Sequence, residues 1–217
     1  MHLGASPNVM DNDDFTAMDH AMLDRPPRLE LNKQVPCEVY VWGTNINYTS
    51  GTGSQHQRNT PELLTTFTKQ NIYIKQVCLS KFHSVFVGAC GRVWACGHGE
   101  GGRLGTASGA TCVLPTQLQM PETCVQAAVG RDHTLLLTAS GIIMSSGLND
   151  YHQLGLLPPP PSVLAPRATK LKLAGARGVC AARYHSAAYS SRALYTWGLN
   201  GGQLGHPKDG EKTVVTP

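Results

Sequence analysis

Charged residues make up only 15% of the chain and aromatic residues only 6%. So few aromatics leave no platform on which successive bases of a single strand could stack. Lys and Arg form no block or stripe, and the net charge of +4 is thinly spread. The electrostatic footprint of a nucleic-acid binder is therefore missing. The densest local charge is acidic, at Asp11, Asp13 and Asp14. No apolar run of about eighteen residues occurs, and no basic segment leading into an apolar one opens the chain, so neither a membrane span nor a secretory signal is expected. The seven cysteines (37, 78, 90, 96, 112, 124, 180) are odd in number and include no C-x-x-C pair. They read as small core residues of a reduced compartment, cytoplasmic with the nucleus as the alternative, rather than as a disulfide framework. Asn47-Tyr48-Thr49 is a formal glycosylation sequon and, without a signal, coincidental.

What the chain does hold is 23 Gly, 14 Pro and 41% hydrophobic residues, the dense punctuation of an all-β fold with a real core. Four segments superimpose: 39–51 (VYVWGTNINYTSG), 93–105 (VWACGHGEGGRLG), 142–155 (IIMSSGLNDYHQLG) and 194–205 (LYTWGLNGGQLG). Their first glycines, Gly43, Gly97, Gly147 and Gly198, are 54, 50 and 51 residues apart, and their second glycines are Gly51, Gly105, Gly155 and Gly205. A proline follows each segment, at Pro61, Pro115, Pro166 and Pro217, and His-Ser or His-Thr recurs at His83, His133 and His185. Chance does not keep three independent offsets constant.

A strand-rich unit of about fifty residues without helical periodicity predicts a β-propeller. Residues 77–87, 125–138 and 178–189 read as first strands; 93–96, 142–146 and 194–197 read as second strands after tight turns. Leu104, Leu154 and Leu204 are expected between units, each unit having two apolar faces that only stacking can cover. The fold class is thus all-β, a partial propeller of about three and a half blades, with repeats at about 39–92, 93–141, 142–193 and a truncated 194–217. Kelch repeats share this period, but their adjacent glycines end a strand, whereas Gly101-Gly102 and Gly201-Gly202 sit inside the turn.

The pattern Φ-Tyr-x-Trp-Gly-x-Asn…Gln-Leu-Gly…Pro…His-Ser resembles the regulator of chromosome condensation repeat, which implies a propeller of seven blades. Departures are Thr49-Ser50 in place of Gln-Leu, Ser146 in place of the repeat Trp, and a shortened turn between Gly198 and Gly205. Residues 15–26 (FTAMDHAMLDRP) resemble the closing helix of an ankyrin repeat, between an expected disordered 1–14 and a linker at 27–38. With 72–77, 81–86, 96–105 and 198–205 they are similar to a family of tyrosine-kinase inhibitors that joins ankyrin repeats, this propeller and BTB domains. The resemblance implies two roles: restraint of a Tec-family kinase through its pleckstrin-homology domain, and adaptor work for a cullin ubiquitin ligase through the BTB domains. An open propeller would forfeit on the order of 10 kcal/mol at each uncovered face, comparable to a whole domain's stability, so the chain is expected to be a fragment of a longer one.

Gly97-His-Gly-Glu-Gly-Gly102 matches G-x-G-x-x-G, but no helix or distant acid follows, so it reads as a repeat turn. Three histidines at one repeat position cannot converge as a triad does, and they read as structural. Cys90, Cys96 and His98 lack the spacing and fourth ligand of a zinc site, and read as buried thiols. Pro158, Pro159, Pro160 and Pro161 are a candidate interaction loop of polyproline type, or a rigid spacer. Lys69, Lys75, Lys81, Arg92, Arg103 and Arg131 are either a basic rim or scattered charge. The expected function is a non-catalytic adaptor or inhibitor with a protein partner and no cofactor, metal, nucleic acid or small-molecule substrate. The alternative is guanine-nucleotide exchange on a small GTPase.

Overall fold

The computed structural model describes residues 38–169 and 175–207 and the backbone of 213–215. The expected disordered start, the ankyrin-like helix and Pro217 lie outside the described residues. Three four-stranded antiparallel sheets follow one another along the chain. The first holds β3 (Ile74–Leu79), β4 (His83–Gly88), β5 (Val93–Gly97) and β6 (Cys112–Gln117). The next holds β7 (Cys124–Val129), β8 (His133–Thr138), β9 (Ile143–Leu148) and β10 (Ser162–Ala168). The last holds β11 (Gly178–Ala181), β12 (His185–Tyr189), β13 (Leu194–Asn200) and β14 (Thr213–Val215). Before them β1 (Tyr40–Gly43) and β2 (Arg58–Leu63) form a two-stranded sheet, followed by a short helix, α1 (Thr65–Lys69), that the repeat pattern did not predict.

These are propeller blades by their burial. Every residue of β4, β5 and β8 is buried, so these strands read as continuous apolar runs (SVFV, TLLL) instead of alternating, because each sheet is covered on both faces. The core lies between sheets. Val85, Val87, Val93 and Ala95 meet Cys124, Ala127, Leu136 and Met144 across one junction, with Leu104 between them. Leu135, Leu137 and Ile143 meet Val179, Ala188 and Trp197 across the next. The first strand of each sheet is innermost: β7 packs against both β3 and β11. The fourth is an outer edge, and there Pro115 and Pro166 sit, where a missing N–H costs no ladder bond; Pro61 sits likewise on β2, the second strand of the two-stranded sheet.

Two features differ from the sequence reading. Residues 77–87, 125–138 and 178–189 are not single strands; each is a hairpin of an innermost strand and its neighbour. The tips are the pairs Lys81-Phe82, Arg131-Asp132 and Arg183-Tyr184. At each tip the backbone N–H of Ser80, Gly130 or Ala182 donates to the carbonyl of His83, His133 or His185, at 2.8–2.9 Å. A two-residue turn leaves the strand-like pattern on either side almost unbroken, which hides it from a pattern search. The sheets are also out of phase with the repeat frames. Residues 93–141 supply β5 and β6 to one sheet and β7 and β8 to the next, so each repeat ties two blades together. Among the described residues no helix is long and apolar enough to cross a membrane.

Candidate functional site

The repeated histidines are fixtures of the blade junctions. His83 and His133 are fully buried, and the Nε2 of each lies 2.8 and 2.9 Å from a hydroxyl of the following blade, Thr134 and Ser186. Those hydroxyls donate to the carbonyls of Arg103 and Gln153 at 2.7 and 2.8 Å. Each hydroxyl proton is thereby used, so the imidazole must be the donor at Nε2. The Nδ1 of His83 then accepts from Ser80 Oγ at 2.9 Å, while Nδ1 of His133 has no partner. Burial lowers both imidazoles from 6.5 to about 3, so both are neutral near pH 7. Neither lines the cavities at the loop end described below. His185, on the last sheet, is only partly buried, and burial lowers it too.

The same turn carbonyl takes a second donor from the residue before the first repeat glycine. Trp197 Nε1 donates to Gln153 O at 2.9 Å, and Cys96 Sγ lies 3.4 Å from Thr49 O. Ser146 stands at the equivalent place, too short to reach, and its buried Oγ has no partner. Ser146→Ala removes an unsatisfied hydroxyl and should be neutral or raise the unfolding free energy by up to about 1 kcal/mol in urea titrations; a loss would show that the hydroxyl has a partner.

Sequence reasoning missed Gln76 and Gln126, which are also one repeat apart. Each side-chain amide pairs with the backbone of the next innermost strand: Gln76 with both N–H and C=O of Ala127 (2.9 and 2.9 Å), Gln126 with those of Val179 (3.0 and 3.3 Å). The signal was present as a fifty-residue spacing, but the third blade carries Gly178 there, so a search of all blades passes over it. Gln126→Ala leaves the N–H and C=O of the buried Val179 unpaired and should cost about 2 kcal/mol of stability. Gln76→Ala should cost a similar amount, and the double mutant should be additive to within about 0.5 kcal/mol by thermal or urea unfolding.

The remaining repeat positions sit as follows. Gly97, Gly147 and Gly198 have φ of +120°, +118° and +107°, and a Cβ on any of them would lie 2.6–2.7 Å from the Cα of His83, His133 or His185. Gly43 has a φ of +101° with open space around it. Gly51, Gly105, Gly155 and Gly205 close the turns with φ of +67° to +76°. Leu154 and Leu204 are buried, Leu154 beside Leu156 and Val163. The stretch Gly97 to Gly102 is a turn containing one 3-10 step, with no α-helix after it. Cys90 lies in the turn before β5 and is exposed, against the expectation of a buried thiol; Cys96 is buried toward the other end of that strand. A turn residue has no sheet above it, which is why its thiol is open. Cys180 is exposed as well.

With histidines, glutamines and glycines committed to holding blades together, the loops remain. Strand direction sorts them into two ends. Lys69, Lys75 and Arg92 precede or lie at the start of upward strands, at one end. Hairpin tips 81–82, 131–132 and 183–184 lie at the other, with the loops after β5 and β9. That second end gathers Lys81, Arg103 and Arg131 from the expected rim and adds Arg183, which the sequence reading did not include. Arg103 is only 3% exposed and meets Asp132 at 3.1 Å. Arg131 reaches the other oxygen of Asp132 at 3.3 Å and donates to Tyr184 Oη at 2.7 Å. Phe82 lies beneath the cations of Lys81, Arg103 and Arg131, at 5.3, 4.8 and 5.4 Å from its ring centre. A cavity of about 490 Å³ opens here among Phe82, Arg103, Asp132, Tyr151 and Tyr184. The loop with Pro158, Pro159, Pro160 and Pro161 joins β9 to β10 at the same end; Asn149 pins it through Pro160 O (2.8 Å) and Pro161 O (2.9 Å).

Comparison with known proteins agrees with this arrangement. The pattern described as "Regulator of chromosome condensation (RCC1) repeat" matches residues 38–87 and 90–137, and a second of the same description matches 124–153. The chain is similar to "Inhibitor of Bruton tyrosine kinase" of Mus musculus, at 45% identity over 99% of this chain and 16% of that protein. It is similar to "Secretion-regulating guanine nucleotide exchange factor" of Bos taurus, at 28% identity over 79% of this chain and 38% of that protein. Among solved structures, Prp20p of Saccharomyces cerevisiae superimposes with a TM-score of 0.69 at 19% identity, over 82% of this chain and 45% of Prp20p, which speaks for the fold alone. The chain spans about one sixth of the length of the first of these relatives.

Proposed function

The chain belongs to the regulator of chromosome condensation (RCC1) repeat family, and from that premise we propose that it is a non-catalytic protein-interaction scaffold. One observation carries this reading: the repeated polar residues are consumed in joining blades, and what the fold leaves open is a rigid set of loops. Rigid blades with variable loops suit recognition of a protein surface. The 45% identity to an inhibitor of Bruton tyrosine kinase favours a Tec-family kinase as partner, met through its pleckstrin-homology domain. Adaptor work for a cullin ligase would run through BTB domains rather than through this propeller. The test is surface-immobilised chain exposed to the kinase's pleckstrin-homology domain. Saturable binding that charge reversals on the loops weaken supports the reading, and no binding up to about 1 mM, where association free energy is only about −4 kcal/mol, ends it for this partner.

Guanine-nucleotide exchange is the second reading, favoured by the 28% identical exchange factor. Accelerated release of labelled nucleotide from a small GTPase would establish it over a passive scaffold.

A further inference from the structure

We propose that the innermost hairpin tips form a docking surface for an acidic segment of a partner protein, with Lys81, Arg131 and Arg183 meeting its carboxylates. The inference rests on the scaffold reading and names the chemistry of the partner.

The three cations occupy one structural position. Each is the first residue of the two-residue tip between an innermost strand and its neighbour, and the spacing is 50 and 52 residues. Since β7 packs against β3 and β11, the three tips stand side by side along the inner rim. A cleft of about 390 Å³ lies between them, lined by Lys81, Arg131 and Arg183 and floored by Ser80, Gly130 and Ala182. Its floor is small and its own backbone N–H groups are already bonded within the hairpins, so it offers room and positive charge rather than competing donors. No Asp or Glu lines it. Asp132 sits on the neighbouring cavity, where Arg103 and Arg131 share its two oxygens.

Aromatic faces hold these side chains in place; among the described residues Lys81 and Arg183 meet no carboxylate, while Arg131 shares Asp132 with Arg103. Lys81 Nζ stands 5.3 Å over the Phe82 ring and the Arg183 guanidinium 4.9 Å over Tyr184. Arg131 lies between the two, at 5.4 and 5.9 Å. A cation held by a ring quadrupole keeps its formal charge and loses rotamer freedom, so less entropy is lost when an anion arrives. Facing cations on three rigid tips, one per blade, match a chain carrying carboxylates in succession. A nucleic acid fits less well, because Phe82 and Tyr184 are already covered by the protein's own cations and cannot stack with bases.

The test uses the 217-residue chain and a fluorescein-labelled ten-residue polyglutamate peptide, read by anisotropy at low and moderate salt. Saturable binding that weakens as salt rises supports the proposal. Lys81→Glu and Arg183→Glu, both exposed and outside the blade junctions, should each weaken the peptide roughly fivefold, as expected for partly exposed charge pairs, and together about twentyfold or more. Unchanged melting temperatures show that the fold is intact. Lys69→Glu with Arg192→Glu, exposed at the opposite end, should change binding less than about twofold, within the range of unpaired surface charge. Equal losses from that control pair overturn the assignment of the surface. A poly-thymidine oligonucleotide that outcompetes the peptide and shows the same losses overturns the acidic-protein partner in favour of nucleic acid. If the pleckstrin-homology domain binds the chain while the peptide does not, this inference fails and the scaffold reading stands; if both fail, the scaffold reading fails with it for that partner.

Discussion

Gly147→Ala is expected to destabilise the chain by about 4 kcal/mol, at the severe end for a single methyl group. Two causes add. The residue holds a φ of +118°, which L side chains rarely adopt. Its new Cβ would also press on the Asp132 carbonyl oxygen and lie 2.6 Å from His133 Cα. Both are backbone atoms, one in the tip that leads into β8 and one at the first residue of β8, and β8 is buried along its whole length, so relief requires β8 and β9 to part in a sheet covered on both faces. The same substitution at the equivalent Gly43 meets no atom within 4 Å despite a φ of +101°. Gly43→Ala should therefore cost only the backbone strain, about 1 kcal/mol. Urea unfolding of both variants separates close approach from conformation alone. Similar losses for the two would sink the close-approach explanation.

Mild acid should unfold the protein through the junction histidines. The ordinary value is 6.5, and burial holds the native imidazoles of His83 and His133 near 3. For a base whose native value is depressed, the unfolded chain takes up a proton that the native one refuses, so stability is full above about pH 6.5 and falls as pH drops toward 3. Two such groups give a slope approaching roughly 3 kcal/mol per pH unit inside that window, or about 3 kcal/mol between pH 6.5 and 5. That is a large share of the 5–15 kcal/mol typical of a domain. Denaturant titrations at a series of pH values check the slope. His133→Gln, which keeps a donor for the Ser186 hydroxyl and cannot titrate, should roughly halve it; an unchanged slope would place the acid sensitivity elsewhere.

Particular residues show where sequence was sufficient. Gly43, Gly97, Gly147 and Gly198 announced the period, and a strand-rich period near fifty leaves little besides a propeller, since such a unit cannot cover its own two faces. Leu104 was expected between units and lies in the cluster shared by two sheets. Gln76 and Gln126 were legible only in retrospect, because Gly178 breaks their series. Cys90 is exposed where a core thiol is expected, because composition says nothing about which turn a cysteine falls in.

The amino-acid sequence by itself determined the repeat, its all-β character and the family, because those depend on local spacing of glycine, proline and apolar residues. Only the tertiary structure decided that one repeat serves two blades, that the histidines bond across blade junctions, and that Lys81, Arg131 and Arg183 share a cleft. These are relations between residues about fifty positions apart, and stacking of blades, not any local pattern, brings them within reach of one another.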